Sequence, residues 1–476
     1  KINQDENIMC GFIVTVNLPV SDMLLDSIAH RDPDANIIKK YQLGKHNLVL
    51  GHVRLAIQDL SDNGLQPMKS VCGNFEIIFN GEIYNHLELR DKYFPSDLKI
   101  RSFSDTETVV NLFSILGPNF ISELNGIFTI VLVDKVLGKI YLYRDRFGVK
   151  PVYIFSGDNS ILLSSEIRGI NEVLQGDYDK SINSESIGSC LRLRFNPSPY
   201  TIFESVKKLR PGHFLVVDCI DKDLSISPQT SYLIKQTGFY TSKISQSVKQ
   251  YGEVFEAAVE RQLLSDVEVG LLLSGGVDSA LVSYFASRNS DATLKSFTVG
   301  FSQAGNENEL KEARRSSEIL GTDHYEAIIS EDDFFNIFEK VCKIVEEPVA
   351  TTSIIPMYYL NELASSHVKV CLTGQGADEP LGGYKRYKGE MLSSILSHNM
   401  FRKLGFLIPL LNKNEGVVRF IKSLGMEDYI DRHLLIYETF SAPEIEKLIG
   451  YYNKKIDIFT LKYWDELLGI RNTTTG

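Results

Sequence analysis

The stretch "VGLLLSGGVDSALVSYFAS", residues 269–287, decides the fold of the second half of the chain. An apolar run, a Gly-rich turn and a second apolar run with helical spacing predict a strand, a turn and a helix. Such a turn presents backbone N–H groups and a helix N-terminus to an anion, so residues 274–279 predict a phosphate site. Asp278 would repel phosphate by itself, which implies Mg²⁺ between the carboxylate and the phosphates. A Gly-rich turn without function is the alternative.

A second loop of the same kind follows in "VKVCLTGQGADE", residues 368–379. In a parallel sheet, the loops at the carboxyl ends of the strands share one crevice. Asp378 is therefore expected to face Asp278 across one metal ion, with a helix N-cap as the alternative role. A further strand, "LKSFTVGF", lies between these loops, and strands that alternate with helices predict a doubly wound parallel α/β domain.

The first half of the chain has a different pattern of apolar residues. Short apolar runs such as "CGFIVTV" and "FTIVLVD" are separated by Gly, Asn, Asp and Pro, which predicts a sheet-rich domain over residues 9–215. Residues 216–250 are rich in Ser, Lys and Gln and predict a linker. The α/β domain is then expected over residues 251–476.

The bulk properties exclude several classes of protein. A chain of 476 residues is long enough for two or three domains, and a formal charge of −11 argues against a general nucleic-acid partner. Six cysteines without a C-x-x-C pair argue against a zinc site or a disulfide framework. No apolar run approaches the roughly 20 residues of a membrane helix, so no membrane partner is expected and the cytoplasm is the expected location.

The second half resembles the PP-loop ATP pyrophosphatase domain of the asparagine synthetase family. The resemblance rests on "SGGVDS", "SFTVGF", "EEPVATTSIIPMYYL" and "VKVCLTGQGADEPLGGY". It implies ATP and Mg²⁺ as cofactors, adenylation of a carboxylate with release of pyrophosphate, and attack by an amine. The residues implied for binding ATP are Leu272, Ser274, Gly275, Gly276, Asp278, Ser279, Val299, Thr373 and Gly374. Asp278 and Asp378 would carry the metal, and Gln375 would lie at the acyl-adenylate.

The first half resembles the class II glutamine amidotransferase domain, an αββα sandwich with an N-terminal nucleophile. The resemblance rests on "MCGF", "GHVRLAI", "FNGEIYNH", "SFSDTETVV" and "RDRFGVKPVY". Cys10 would attack glutamine with its own α-amine as the base, since that amine has a pKa of roughly 8. Asn80 and Gly81 would stabilise the oxyanion, and Arg54 would bind the α-carboxylate of glutamine.

Glu82 and Asp105 would bind the α-ammonium of glutamine in the same resemblance. Each residue also has an ordinary alternative: a core thiol for Cys10, a surface ion pair for Arg54, a hairpin turn for Asn80 and Gly81, and a cap for Asp105. The histidines are interpreted as structural.

Five features depart from the family pattern. Nine residues precede Cys10, Asp32 stands where the pattern has Gly, and Gln375 stands where the family usually has Asp or Glu. Thr352 occupies the position of an Arg in the acceptor loop of aspartate-using members. The chain ends at Gly476, whereas family members continue for about a hundred residues, so the synthetase domain is expected to be incomplete.

The sequence therefore predicts a glutamine-dependent, AMP-forming amide synthetase that converts a carboxylate acceptor, aspartate first among them, to its amide. Ammonia from glutamine would cross an internal passage between the two domains. A different carboxylate acceptor, a ring-closing synthetase that needs no glutaminase, and a non-catalytic nucleotide-binding homologue remain alternatives. The assembly is left open, with a homodimer as one option.

Met9 decides how Cys10 is interpreted. If translation starts at Met9, removal of that methionine frees Cys10 as an N-terminal nucleophile, and residues 1–8 are upstream reading frame. If the extension is retained, we expect no glutaminase activity until it is cleaved.

Overall fold

The computed structural model describes residues 9–21, 23–31, 34–233, 243–303, 309–381, 383, 423 and 429–450. The departure at Asp32 and the segment ahead of Met9 lie outside these ranges. So do residues 451–476 of the predicted second domain.

Two antiparallel sheets form the first domain. The first sheet has six strands in the order β10 (Val206–Lys208), β8 (Tyr153–Gly157), β9 (Ser160–Ser164), β1 (Gly11–Val16), β3 (His46–Arg54) and β2 (Ala35–Leu43). The second sheet has the order β12 (Ser225–Ile226), β11 (His213–Asp218), β7 (Lys139–Arg144), β6 (Gly126–Asp134), β5 (Phe75–Ile83) and β4 (Met68–Lys69). Its seventh strand, β13 (Thr230–Ser231), pairs with β11. Every pairing within these sheets is antiparallel.

The two sheets pack face to face because alternate strand residues are apolar. Buried residues from both sheets form the central core, among them Phe12, Val14, Val131, Leu142 and Leu215. Helices cover the outer faces: α1 (His86–Tyr93) and α2 (Asp105–Leu116) lie on the second sheet, and α3 (Ile167–Val173) and the 3-10 helix Asp26–Arg31 lie on the first. Helix α4 (Ser184–Leu193) follows α3. The predicted αββα sandwich is confirmed.

The second domain contains a parallel sheet of four strands among the described residues. Their order is β16 (Asp323–Ile329), β15 (Lys295–Phe301), β14 (Val269–Leu272) and β17 (Val370–Thr373). Strands β14 and β17 are neighbours, and Leu272 pairs with Thr373 in register. The Gly-rich turn after β14 and the loop after β17 therefore leave the same edge of the sheet side by side.

Helices cover both faces of this parallel sheet. The described helices are α5 (Ile244–Gln262), α6 (Val277–Arg288), α7 (Leu310–Leu320), α8 (Glu331–Asn336), α9 (Phe338–Val345), α10 (Ile354–Ser365), α11 (Asp378–Leu381), α12 (Tyr429–Tyr437) and α13 (Ala442–Ile449). Val259 of α5 and Phe285 of α6 pack with Leu271 on one face. Leu360 of α10 packs with Phe297 on the other. The predicted doubly wound arrangement is confirmed.

The border between the domains differs from the one predicted. Strands β11, β12 and β13 extend the second antiparallel sheet to Ser231, beyond the predicted end at residue 215. Helix α5 begins at Ile244, inside the segment predicted as a linker. The strands at 225–226 and 230–231 have two residues each, which is too short for an alternating pattern to reveal.

The two domains contact each other through charged and polar groups. Arg192 and Glu438 form a buried ion pair at 3.0 Å, and Lys208 pairs with Glu347 at 2.9 Å. Near the first domain's loop 57–61, the Asp266 carboxylate accepts a hydrogen bond from the Asp59 amide at 2.7 Å. All six cysteines are free thiols. No helix in the described ranges is both long enough and apolar enough to span a membrane.

Candidate active sites

The first candidate site lies where β1 and β3 meet the second sheet. Cys10 directly precedes β1, and its sulfur accepts a hydrogen bond from the Leu55 amide, just after β3, at 3.3 Å. One small cavity is lined by most of the residues predicted for glutamine hydrolysis, namely Cys10, Arg54, Gly81, Glu82 and Asp105. The cavity, which we call the thiol pocket, has a volume of about 30 Å³.

Arg54 is buried at the wall of the thiol pocket and holds the loop that follows it. Its Nη1 donates to the carbonyl oxygen of Ser61 at 2.9 Å, and its Nη2 donates to that of Gln58 at 3.4 Å and also contacts the Asp59 carbonyl. The guanidinium therefore bonds to backbone acceptors of this loop. Binding of a substrate carboxylate by Arg54 stays a prediction.

Asn80 and Gly81 lie at the end of β5 that borders the pocket. The Asn80 side chain is buried, and its Nδ2 has no hydrogen-bond partner within the described part of the chain. A buried donor left unpaired costs about 1–3 kcal/mol, which is a reason to expect an acceptor from a ligand. At Gly81 a Cβ atom would lie 2.1 Å from the carbonyl oxygen of Ile127, so only glycine fits there.

Glu82 and Asp105 form an acidic pair in the pocket. The Glu82 carboxylate accepts from Gln58 Nε2 at 2.6 Å, and the Asp105 carboxylate accepts from the Ile83 amide at 2.9 Å. Burial and the neighbouring Asp105 charge raise the pKa of Glu82 well above its ordinary value. Burial raises the pKa of Asp105 to about 6. Two buried carboxylates in one pocket favour a cation such as an α-ammonium group.

The thiol of Cys10 is not activated by the described surroundings. Burial raises its pKa to about 11, so the thiol is protonated at neutral pH and needs a base. Lys150 is also buried there, and its Nζ lies 2.7 Å from the sulfur of Met9. Burial lowers the pKa of His52 to about 3 and that of His86 to about 4, so both rings are neutral. Neither histidine lines the thiol pocket, in keeping with a structural role.

The second candidate site is a cleft of about 500 Å³ at the carboxyl ends of the parallel strands. We call it the strand-end cleft. It is lined by Gln375 and by nearly all residues predicted to bind ATP, which are Leu272, Ser274, Gly276, Asp278, Ser279, Val299, Thr373 and Gly374. Gly275 is the exception. Its amide donates to the Glu309 carboxylate at 3.1 Å, and Glu309 does line the cleft.

Short hydrogen bonds shape the Gly-rich turn. The hydroxyls of Ser274 and Ser279 lie 2.8 Å apart, and the Gly276 amide donates to Ser274 Oγ at 3.1 Å. Gly276 caps α6 without a side-chain cap, so the amides at the helix N-terminus stay available to an anion. A Cβ atom at Gly374 would lie 2.5 Å from the Ser279 nitrogen. The two loops therefore touch, as their neighbouring strands predict.

Two carboxylates lie beside this turn. Burial raises the pKa of Asp278, and the neighbouring Asp378 and Glu379 charges raise it further, so the acidic groups are close together. Within the described ranges, no group of three or more His, Cys, Asp or Glu side chains could hold a metal ion by itself. Mg²⁺ commonly takes only one or two carboxylates and completes its shell with water and substrate phosphates. Asp278 and Asp378 fit that pattern, and the metal itself stays a proposal.

A third cavity, of about 280 Å³, lies between the domains. Its lining includes Met9, next to Cys10, and apolar residues of α9 and α10 such as Val345, Ile354 and Met357. Met357 also lines the strand-end cleft, so the two spaces share this side chain. We call this space the interdomain cavity.

Sequence reasoning missed several residues of these sites. Glu309, Ser353 and Met357 line the strand-end cleft, and Gln58 and Lys150 lie at the thiol pocket. Of these residues, Ser353 and Met357 could have been found from the sequence, because they lie in the segment "EEPVATTSIIPMYYL" at the start of α10. Thr352, predicted at the acceptor loop, does not line the cleft, whereas its neighbour Ser353 does.

Comparison with known protein families agrees with the division of the chain into two domains. Residues 9–230 match the glutamine amidotransferase domain family, and residues 250–449 match the asparagine synthase family. The fold and the two matches together define an amidotransferase in which a glutaminase domain precedes an ATP-dependent synthase domain. The chain belongs to the glutamine-hydrolysing asparagine synthetase family, as the following relatives show.

The chain is 34% identical to the provisionally named glutamine-hydrolysing asparagine synthetase 2 of Methanocaldococcus jannaschii, over 82% of this chain and 78% of that protein. It is 31% identical to glutamine-hydrolysing asparagine synthetase 1 of Bacillus subtilis, over 80% of this chain and 60% of the relative. It is also 30% identical to amidase chry2 of Gibberella zeae, over 78% of this chain and 56% of the relative. The chain thus spans well under two thirds of the last two proteins.

Proposed function

We propose that this protein is a glutamine-dependent, AMP-forming amide synthetase. Glutamine is hydrolysed in the thiol pocket, and the ammonia attacks an acyl-adenylate made from ATP and a carboxylate in the strand-end cleft. The observation that supports this most strongly is the position of the interdomain cavity. Its lining includes Arg31, which donates to the carbonyl oxygen of Cys10, and Met357, which also lines the strand-end cleft.

Glutamine hydrolysis requires a nucleophile, a base and an oxyanion site. Cys10 is the proposed nucleophile, and because burial raises the pKa of its thiol to about 11, the base must lie close to the sulfur. The α-amine of Cys10 meets this need only when no residue precedes it. We therefore propose that the active form has Cys10 as its first residue.

Substrate positions in the thiol pocket follow from charge. The unpaired Nδ2 of Asn80 and the Gly81 amide are the proposed oxyanion donors, and Glu82 and Asp105 are the proposed partners of the α-ammonium. Arg54 would exchange its backbone acceptors for the α-carboxylate. A cavity of about 30 Å³ holds only about two waters, so the loop that Arg54 holds must move when glutamine enters.

In the strand-end cleft, the Gly-rich turn and the N-terminus of α6 are proposed to hold the pyrophosphate portion of ATP. Asp278 and Asp378 would hold Mg²⁺, which when bound would neutralise charge on the departing pyrophosphate. The Ser274 and Ser279 hydroxyls lie 2.8 Å apart and hold the turn together, and the uncapped amides at the N-terminus of α6 are the proposed donors to the phosphates. Gln375 would lie at the acyl-adenylate, where its amide can donate a hydrogen bond but cannot act as a base.

Aspartate is the proposed acceptor, because the named synthetases are the more similar relatives. One observation favours a different carboxylate. Among the described residues that line the strand-end cleft there is no Lys or Arg to pair with a second carboxylate of the substrate. An amidotransferase that acts on another carboxylate is therefore the second candidate, and a relative named as an amidase is in keeping with it.

Exchange of labelled pyrophosphate into ATP tests this proposal without requiring glutamine. Aspartate should support exchange if it is the acceptor, and the reaction should need Mg²⁺. Exchange with another carboxylate from a panel of sugar acids, hydroxy acids and amino acids, but not with aspartate, would favour the second candidate. Silence with every carboxylate, in a protein that binds ATP, would contradict the synthetase function.

A further inference from the structure

A buried lysine that the proposed chemistry does not use lies beside the nucleophile. Lys150 is 9% exposed, and its Nζ lies 2.7 Å from the sulfur of Met9, the residue that precedes Cys10. Standard bond lengths therefore place this Nζ at most about 9 Å from the backbone nitrogen of Cys10. That nitrogen becomes the α-amine when Met9 is removed.

Backbone hydrogen bonds fix the position of Lys150. Its amide donates to Asp145 Oδ2 at 3.1 Å, and its carbonyl oxygen accepts from Arg144 Nε at 2.9 Å and from Thr129 Oγ1 at 3.2 Å. The Asp145 carboxylate also accepts from two further amides of the loop that follows β7. None of these contacts involves Met9, so we expect Lys150 to keep its place when Met9 is removed.

Cys10 is likewise held by contacts that do not depend on Met9. Its sulfur accepts a hydrogen bond from the Leu55 amide at 3.3 Å, and its carbonyl oxygen accepts one from Arg31 Nε at 3.2 Å. Strand β1 begins at the next residue and pairs with β3. The nitrogen of Cys10 is therefore expected to stay near Nζ of the buried lysine.

The Lys150 ammonium group has only a weak partner at this position. A thioether sulfur is a weak acceptor, and no carboxylate in the described part of the chain forms an ion pair with Nζ. Burial lowers the pKa of Lys150, the Glu82 and Asp145 charges oppose that change, and the Arg31 charge adds to it. Arg31 itself pairs with the Glu166 carboxylate. The lysine thus presents a buried positive charge that no direct contact with a carboxylate neutralises.

The charges that face Cys10 come from three elements. Glu82 at the end of β5 raises the pKa of the Cys10 thiol, whereas Lys150 and Arg54, at the end of β3, lower it. In the proposed complex with glutamine, Arg54 pairs with the α-carboxylate, and Glu82 and Asp105 pair with the α-ammonium. Lys150 is then the charge beside the nucleophile that the substrate does not neutralise.

We propose that Lys150 is a positioning residue for glutamine hydrolysis, whose buried positive charge keeps the α-amine of Cys10 unprotonated so that the amine can accept the thiol proton. The inference rests on the proposed function and adds one residue to it. A unit charge at roughly 8 Å, with an effective dielectric constant of about 20, lowers the pKa of a neighbouring ammonium group by about one pH unit or more. An amine with an ordinary pKa of roughly 8 is then largely a free base at neutral pH.

The test measures the titration of this amine in protein that begins at Cys10, as verified by intact mass. Competitive acetylation against a reference peptide, from about pH 5 to about pH 9, gives the pKa of the amine, and mass spectrometry identifies the modified N-terminal peptide. In the wild-type protein we expect this pKa to lie below the ordinary value of roughly 8. Lys150→Met should raise it by about one pH unit, and Lys150→Arg, which keeps the charge, should leave it low.

Glutamine hydrolysis should follow the titration of the amine. The acidic limb of the pH profile of kcat should move to higher pH by the same amount in Lys150→Met, since kcat reports groups of the enzyme–substrate complex. Amide formation from ammonium should not change. Lys139→Met removes a partly exposed lysine at the other end of β7 and provides the control, in which the amine pKa and the kcat profile should both stay as in the wild type.

Three results would count against the inference, and they can be told apart. An ordinary amine pKa in an active wild-type glutaminase would overturn the role of Lys150 alone, whether or not Lys150→Met folds. Loss of glutaminase activity at every pH in Lys150→Met, with the ammonium reaction kept, would also overturn it, because Lys150 would then be the base itself. A wild-type protein that begins at Cys10 and produces no glutamate would contradict the glutaminase proposal, and this inference with it.

Discussion

The thiol pocket and the strand-end cleft differ in how complete each one is before a ligand arrives. The thiol pocket holds about 30 Å³, and its walls come from the ends of strands in two antiparallel sheets, the loop after β3 and the start of α2. The strand-end cleft holds about 500 Å³, and its walls are loops that follow parallel strands. The first pocket is lined by two buried acids and lies next to Asn80, whose amide nitrogen has no partner among the described residues, whereas the second has uncapped helix amides beside acidic groups.

Because of this difference, we expect the two sites to depend on their ligands in different ways. In the thiol pocket, Arg54 and Glu82 lie on strands and Asp105 begins α2, so these groups are held in place and only the loop that Arg54 holds needs to rearrange. In the strand-end cleft, Asp278 and its acidic neighbours repel one another until a cation neutralises them. The glutaminase site is therefore expected to depend on single side chains, and the synthase site on the bound nucleotide and metal.

The largest effect is expected from Cys10→Ala, which removes the nucleophile. Glutamine-driven amide formation should fall by at least about 10³-fold, while formation from ammonium should stay within about twofold. Both rates are measured as AMP released. Cys72→Ala, at an exposed cysteine, is the control and should change neither rate. Loss of both the ammonium reaction and the glutamine reaction would contradict the proposal that the two sites act separately.

Asn80→Ala should be next in size. Removal of one oxyanion donor typically costs about 10²–10³ in kcat, so glutamate production should fall by that factor with little change in KM. The exposed Asn47 on the first sheet offers a matched control, since Asn47→Ala leaves the pocket intact. If Asn80→Ala raised KM alone, Asn80 would bind the ground state and would not serve as an oxyanion donor.

Asp278→Asn tests the dependence of the strand-end cleft on a cation. Pyrophosphate exchange should fall by about 10²-fold, and higher Mg²⁺ should restore part of it, because one of two proposed metal ligands is weakened. Glutaminase activity without ATP should be unchanged. Asp291→Asn, in an exposed loop after α6, is the control. An unchanged Mg²⁺ dependence in Asp278→Asn would remove this residue from the metal site.

Asp105→Asn tests whether the buried charge of Asp105 lowers the free energy of unfolding. Since folding raises the pKa of Asp105 from 3.8 to about 6, the folded state holds this proton more tightly than the unfolded state. Stability is therefore lost as pH rises from about 4 to about 6, and the full penalty is present above pH 6. Asp105→Asn should raise the free energy of unfolding at pH 7 by about 1–2 kcal/mol and weaken glutamine binding.

Denaturant unfolding at pH 4 and pH 7 measures this effect. The gain from Asp105→Asn should shrink at pH 4, where the wild-type carboxyl is already protonated. Asp91→Asn, on the exposed side of α1, provides the control. A gain of equal size at both pH values would show that the acidic pair is not the cause.

The smallest effect is expected at Glu309, whose carboxylate accepts from the Gly275 amide, a proposed phosphate ligand. The Glu309 carboxylate competes with the phosphates of ATP for the Gly275 amide. Glu309→Gln removes the charge of this competing acceptor, so the KM for ATP should fall by about threefold. Glu318→Gln, on the helix that Glu309 caps but not in the lining of the cleft, should leave KM unchanged. A higher KM in Glu309→Gln would instead indicate that Glu309 helps to bind the nucleotide or its metal.

Sequence reasoning predicted the architecture because the architecture follows from local patterns. Alternating apolar strands in "FTIVLVD" and the strand–turn–helix of "LLLSGGVDSALV" are readable without tertiary contacts. Most of the predicted site residues lie at or near the ends of these strands and helices, and their roles stay predictions. The short strands at 225–226 and 230–231 left no pattern, and the domain border was therefore placed too early.

The missed residues share a different property. Glu309 lies 34 residues from Gly275, from whose amide it accepts a hydrogen bond, and Lys150 lies 141 residues from Met9, which it contacts. No spacing rule links such residues, because a charged side chain in a helix or loop has the same appearance whether it pairs across an interface or faces water. The role of Met357 between two cavities likewise depends on how the domains dock. Those contacts could be found only in three dimensions.

Transfer of nitrogen within the protein is the most direct test of a two-site enzyme with an internal passage. The measurement uses glutamine labelled with ¹⁵N in the amide group, together with ATP, Mg²⁺, aspartate and excess unlabelled ammonium, and follows the isotope in the amide product by mass spectrometry. We predict a product that carries ¹⁵N almost entirely, because ammonia moves through the interdomain cavity without mixing with the solvent. A product diluted to the isotope ratio of the bulk ammonium would contradict the passage.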